Sequence, residues 1–169
     1  EARGERKVEI STQRTYLHGF GFDKNISFAS VSYVPYLLNH SVDRLTSNFT
    51  TLAATPASSI NAPIGATHFR YINAIGVVSD YAFNASTGTY EPTNPELNEL
   101  SNTTYGSYSP LNAAYAGEVL DASLPVGTVM TADVSVLQCI GIEFFQEVNG
   151  VQYSLKNGAY NVLNIVEAA

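Results

Sequence analysis

Apolar and polar residues alternate with period two along most of this chain, and the period of an amphipathic helix is nearly absent. Over 7–22, Val8, Ile10, Tyr16, Phe20 and Phe22 share one parity while Lys7, Glu9, Ser11 and Gln13 hold the other, which predicts a strand. The stretch 26–36 is mixed and β-rich, and Pro35 marks an edge position or a strand end. In 44–53, Leu45, Phe49 and Ala53 alternate with Arg44, Thr46, Asn48 and Thr50. The Pro, Ser and Gly of 55–65 make a loop. Beyond it Phe69, Tyr71, Ile75, Val77, Tyr81 and Phe83 all fall on odd positions, with His68, Arg70 and Asp80 on even ones.

A polar connection over 84–110 reads as a long loop, with one helical turn at 94–100 capped by Asn94 and started by Pro95. Residues 111–124 fit helix or strand. After a turn at 125–127, Met130, Ala132, Val134, Val136, Ile140, Ile142 and Phe144 keep even parity through a long strand, with Gly141 a candidate bulge.

The chain closes on two Asn-Gly turns. Asn149-Gly150 suits a two-residue type I′ hairpin that pairs Val148 with Val151, Phe144 with Leu155 and Glu143 with Lys156. Asn157-Gly158 predicts a third strand, with Leu155 beside Tyr160 and Tyr153 beside Val162. That last strand is apolar in both directions: Tyr160, Val162 and Val166 on one face, Leu163 and Ile165 on the other. Such a strand needs cover on both faces.

These elements predict one all-β domain over 1–169, an antiparallel β-sandwich of jelly-roll or Ig-like type. It carries a C-terminal three-stranded meander, at most one or two short helices, and residues 1–15 as an extended N-terminal arm.

Composition sharpens the picture. Charged residues are 14% against roughly 25% in typical soluble domains, and Asn, Ser, Thr and Gly fill the difference. Eleven Tyr and eight Phe supply core material. The formal charge of −7 argues against broad electrostatic binding to nucleic acid or anionic lipid. Arg3, Arg6, Lys7 and Arg14 are four of the eight basic residues, so the N-terminal arm is the basic part. No run of 18 apolar residues is present, so no membrane-spanning helix is expected. The chain opens on Glu1 without a signal-peptide hydrophobic region, as a processed form or a fragment would.

Candidate chemistry is sparse. Cys139 is the single cysteine and sits in an apolar strand, where it reads as a small buried hydrophobe. His18, His40 and His68 lie in separate segments without metal-ligand spacing, and neither a phosphate loop nor a hydrolase elbow is present. The glycines of Gly19-Phe20-Gly21-Phe22 read as a bulge or flexible strand end. Glu143 and Glu147 share one strand face, as a solvated sheet would place them, rather than flanking a cleft. Neither catalytic residues, metal ligands nor a cofactor are expected. Tyr81, Tyr90, Tyr105 and Tyr108 form a Tyr-rich region suited to stacking on sugars or a protein partner. Sequons at Asn25, Asn39, Asn48, Asn84 and Asn102 are compatible with N-glycosylation.

The length, strand content and strand-like ends are broadly similar to those of extracellular pilus-type or virion subunits. The expectation is therefore a non-enzymatic structural subunit, extracellular or on a cell surface, that polymerises with itself into a filament or layer by terminal-strand exchange. The C-terminal strand (Tyr160, Val162, Leu163, Ile165, Val166) and the N-terminal arm (Arg3, Arg6, Lys7, Val8, Ile10) carry that reading. The alternatives are a glycan- or protein-binding module using the tyrosines, and a virion structural protein.

Overall fold

A computed structural model describes residues 6–155 and 160–169. Chain order starts with three pieces of one-turn helix: α1 (Ile10–Gln13), a 3-10 turn (Arg14–Leu17) and α2 (Phe28–Val31). Strands β1 (Tyr36–His40) and β2 (Thr46–Thr51) follow, then α3 (Pro56–Ser59) and the long β3 (His68–Ser79). Next come β4 (Tyr81–Asn84), β5 (Thr89–Pro92), β6 (Ser101–Tyr105), β7 (Ser109–Pro110) and β8 (Glu118–Ser123). The chain closes with β9 (Val134–Val148), β10 (Val151–Ser154) and β11 (Val162–Ala168).

The architecture is all-β and sandwich-like. A small antiparallel sheet, β1-β2-β8, packs over a larger one, β10-β9-β3-β6, in which β11 also pairs β9 and β7 pairs β3. The parity of the sequence explains the layers. Phe69 and Tyr71 of β3, with Ile140, Ile142 and Phe144 of β9, point inward and meet Phe49 and Leu120 of the small sheet. A second cluster, built on Ile75, Val77, Val134, Val136, Ala122 and Leu124, continues the core toward the far end of β3.

A buried polar clamp fixes one sheet over the other. Asn73 of β3 is fully buried, and its amide Nδ2 donates to the carbonyls of Ser47 (3.0 Å) and Leu120 (2.9 Å). Its Oδ1 accepts from Gln138 Nε2 at 3.1 Å. Asn73 thus has partners for both ends of its amide, although Gln138 Oε1 is buried without one, and a lateral slip of the sheets would strand the Asn73 donors in an apolar core.

Several local expectations are corrected. Residues 7–22 do not form a strand. Val8 bridges to Tyr81 and Gly21 to Asn164, and between them the segment turns through α1 and the 3-10 helix, leaving Tyr16, Phe20 and Phe22 exposed. Three short α-helices form rather than one or two. The stretch 84–110 holds β5, β6 and β7, and 94–100 is a turn in which Leu97 N–H donates to Asn94 Oδ1. Within 111–124 the strand outcome, β8, prevails.

The C-terminal region also differs from a simple meander. The β9–β10 hairpin has the expected register, Val148 opposite Val151, with positive φ at Asn149 and Gly150. The third strand, however, does not pair with β10. Val162 lies opposite Ile142 and not Tyr153, so β11 follows β10 along the same edge of β9. Both run antiparallel to β9, the opposite edge of which belongs to β3. Asn161 joins the two segments by accepting Phe144 N–H on its side-chain oxygen. The Asn157-Gly158 turn and Lys156, the expected partner of Glu143, lie outside the described residues; on its other side Glu143 lies opposite Arg70 of β3. Gly141 is regularly paired, and the bulge falls between Ile165 and Glu167. Glycine is required at 141 because a Cβ there would lie 2.6 Å from the Val162 carbonyl oxygen.

Candidate functional site

The terminal segments meet each other within the chain's own fold. One edge of β11 pairs β9, and the other is covered by residues 19–22. Gly19 N–H donates to Ile165 O (2.8 Å), Ile165 N–H to Phe20 O (2.8 Å) and Phe22 N–H to Leu163 O (3.0 Å). Of the C-terminal assembly candidates, Val162 and Ile165 are buried, while Tyr160, Leu163 and Val166 are half-buried. Val162 enters the inter-sheet core, and Tyr160 and Val166 pack against it. Asn164 is buried between them and accepts Phe28 N–H at the start of α2. Of the N-terminal candidates, Arg6 and Lys7 are exposed, Ile10 is half-buried, and Arg3 lies outside the described residues. Val8 is tied to Tyr81 by two backbone bonds, and Ser11 donates from N–H and Oγ to the buried Asp80 carboxylate.

The small sheet has a very different margin. All five residues of β1 are exposed, and among the described residues β1 pairs only with β2. The ladder begins with Leu52 N–H to Pro35 O and ends with Ser41 N–H to Thr46 O. Alternation then aims Leu37 and Asn39 at β2, and leaves the N–H and C=O of Tyr36, Leu38 and His40 facing outward. The side chains of that outward set lie on the core face, where Tyr36 stacks edge-on against Phe28 and Phe49. Leu37 projects from the opposite face, 62% exposed. From 32 to 40 the chain carries no Asp, Glu, Lys or Arg. Natural edge strands are usually blunted by charge, bulges or cover. Periodicity did not reveal this edge, since Tyr36, Leu37 and Leu38 are consecutive and apolar; the usable signals were Pro35 and the lack of charge.

A third feature is the outer face of the large sheet. Arg70 donates Nε–H to Glu143 at 2.8 Å, and its guanidinium lies 4.2 Å over the Tyr105 ring and 5.1 Å from Phe145. Its Nη1 also donates to the Tyr108 hydroxyl (3.3 Å). Beside it, Ile72, Ala74 and Leu163 floor an open cavity of about 330 Å³ whose walls include Tyr105, Glu143 and Asn161. Thus Tyr105 and Tyr108 come together, but Tyr81 and Tyr90 sit beyond the far end of β3. There Tyr81 accepts from Asn98 and Tyr90 packs on Phe83.

The remaining candidates resolve individually. Glu147 faces His68 at 3.4 Å, so both carboxylates of the β9 face have partners on β3. Cys139 is buried, and burial pushes its thiol up to about 11. Asn25, Asn39 and Asn102 are exposed, whereas Asn48 and Asn84 are half-buried and donate their amides to Asp121 and Glu91. Among the described residues, no three His, Cys, Asp or Glu side chains come together as metal ligands would, and no helix is long and apolar enough to cross a membrane.

No family model matches this chain, and neither a curated protein nor a solved structure matches it.

Proposed function

We propose that this chain is a non-catalytic structural subunit that builds a filament or surface layer outside the cell by sharing β-strands between copies. The unblunted edge of β1 carries the reading, because an uncharged row of free backbone groups is a template for another strand. The pairing of Glu143 with Arg70 and of Glu147 with His68 supports a non-catalytic sheet face. The exposed sequons at Asn25, Asn39 and Asn102 support an extracellular setting. In the terminal-strand form of assembly, β11 and the 19–22 segment would exchange together, since each covers the other's backbone. Negative-stain microscopy and sedimentation across a concentration series test the proposal. Ordered assemblies are expected, and a monomer at every concentration overturns it.

A second reading rests on the Arg70 face, where Tyr105 and an open apolar cavity lie side by side. Here the domain is a binding module for glycans or a protein partner, by aromatic stacking. Tyr105→Ala should abolish binding on a glycan array that the native chain lights up; an array blank with the native chain removes the glycan form of this reading.

A further inference from the structure

We infer that β1 pairs with β1 of a second copy, antiparallel about a two-fold axis through Leu38, joining two small sheets into one continuous sheet. The inference rests on the structural-subunit reading and names the contact it would use.

The register follows from which backbone groups are free. Tyr36, Leu38 and His40 present their N–H and C=O groups outward, and Leu38 is the middle of the three. Antiparallel strands bond through directly opposed residues that each give one N–H and one C=O. Placing Leu38 opposite Leu38 of the second copy uses all three residues on both sides, on the order of six hydrogen bonds. A shift of two residues in either direction leaves outward groups unpaired. A shift of one is excluded, because it opposes groups that already bond β2.

Side chains fit the same register. On the core face Leu38 meets its own copy, and Tyr36 meets His40. On the outer face Leu37 meets Asn39. Leu37, Leu38 and Tyr36 are 62%, 36% and 39% exposed, so the pairing covers apolar surface that the single chain leaves wet. No carboxylate or ammonium enters the seam. That matters for a chain of net charge −7, whose copies repel one another except where the contact is uncharged.

The margins at β8, β11 and β10 do not fit a second copy as well. Alternation along β2 makes Asp121 outward-facing on β8, but its carbonyl already accepts from Thr104 Oγ1, and the Glu118 and Asp121 carboxylates flank that edge. The outer edge of β11 is taken by residues 19–22. The exposed edge of β10 is only four residues long. A two-fold contact closes on itself, so β1 pairing yields a dimer, and a filament built from it needs a second, different contact.

Cysteine crosslinking reads the register directly. Leu38→Cys places two thiols across the axis at a spacing a disulfide spans, whereas Leu37→Cys faces Asn39 of the second copy. Mild oxidation should therefore give covalent dimer roughly tenfold or more faster for L38C than for L37C, as an effective-concentration effect. The native chain, whose Cys139 is buried, serves as the blank. Leu38→Lys sets two like charges face to face and should weaken the dimer about tenfold or more in sedimentation equilibrium. Because Leu38 lies opposite Phe49, the exposed Leu37→Lys is made in parallel and should weaken it in the same direction with an unchanged melting curve. Equal crosslinking rates, or dimers indifferent to both lysines, overturn the β1 pairing. If larger assemblies persist in L38K, the pairing fails while the structural-subunit reading stands. If the native chain is monomeric throughout, both fall.

Discussion

Two edge strands of this sandwich, β11 and β1, are handled in opposite ways. Each pairs with one neighbour inside its sheet. The far side of β11 is covered by residues 19–22, whose backbone bonds alternate with its own, while among the described residues none pairs with the far side of β1. β11 is apolar on both faces and gains cover from the core and from the N-terminal segment. β1 is also apolar on both faces, yet Leu37 and Leu38 remain in water. The same chemistry is thus sealed at one margin and left open at the other. Hydrophobic content alone does not decide whether an edge is finished; the presence of a covering segment does.

The largest effect expected on that contrast comes from unsealing β11. A side chain at Gly141 would collide with the Val162 carbonyl and with Leu163. Gly141→Val should lower the unfolding free energy by about 3 kcal/mol in urea titration, as overpacking against backbone does. A loss under about 1 kcal/mol would show that the β9–β11 contact is looser than described.

A smaller loss is expected at Asn164. Asn164→Ala strands the Phe28 N–H at the start of α2 and should cost about 1–3 kcal/mol. Leu37→Lys at the open margin should change stability by less than about 0.5 kcal/mol. Equal losses at the two positions would erase the distinction between the edges.

Alkaline titration probes the core beneath both. Burial raises the Tyr71 hydroxyl to about 12 and pushes Tyr115 up as well, against a usual value near 10. A raised folded-state pKa means that the unfolded chain gives up its proton first. The associated stability is complete below about pH 10 and is lost as pH climbs toward 12. Melting temperatures should fall through that window, and Tyr71→Phe should shrink the fall. A flat profile from pH 9 to 12 would contradict the burial of these rings.

Two labelling experiments need no global unfolding. In native-state hydrogen exchange the amides of Ile165 and Phe22 should be protected, and those of Tyr36, Leu38 and His40 should exchange faster in the monomer. The Cys139 thiol, raised to about 11 by burial, should resist alkylation at neutral pH in the native chain and become reactive in G141V. Rapid native alkylation would mean that cover over the outer face is incomplete.

Much of the sandwich was legible because parity carries it. The inward residues of β3 and β9 lie on single parities, and Asn149-Gly150 fixed one hairpin. The errors have physical causes. Residues 7–22 alternate, but Tyr16, Phe20 and Phe22 stay exposed, and Ser11 bonds to Asp80 where the segment turns through α1 instead of running on as a strand. The closing strand was recognised as needing cover, yet no local pattern could say that residues 19–22 supply it from so far away in sequence. The Arg70 cluster joins β3, β6 and β9, and only their register brings its members together. Tyr105 and Tyr108 were singled out for composition, but the cation that organises them was not.

The Asn73 clamp has a mechanical corollary. Its amide grips the backbones of β2 and β8 at once, and its oxygen is held from β9 by Gln138. Force entering at β1 would pass by shear along the β2 ladder and be shared by several short bonds loaded together. The two layers would then yield as one body, and the small sheet would not peel away bond by bond.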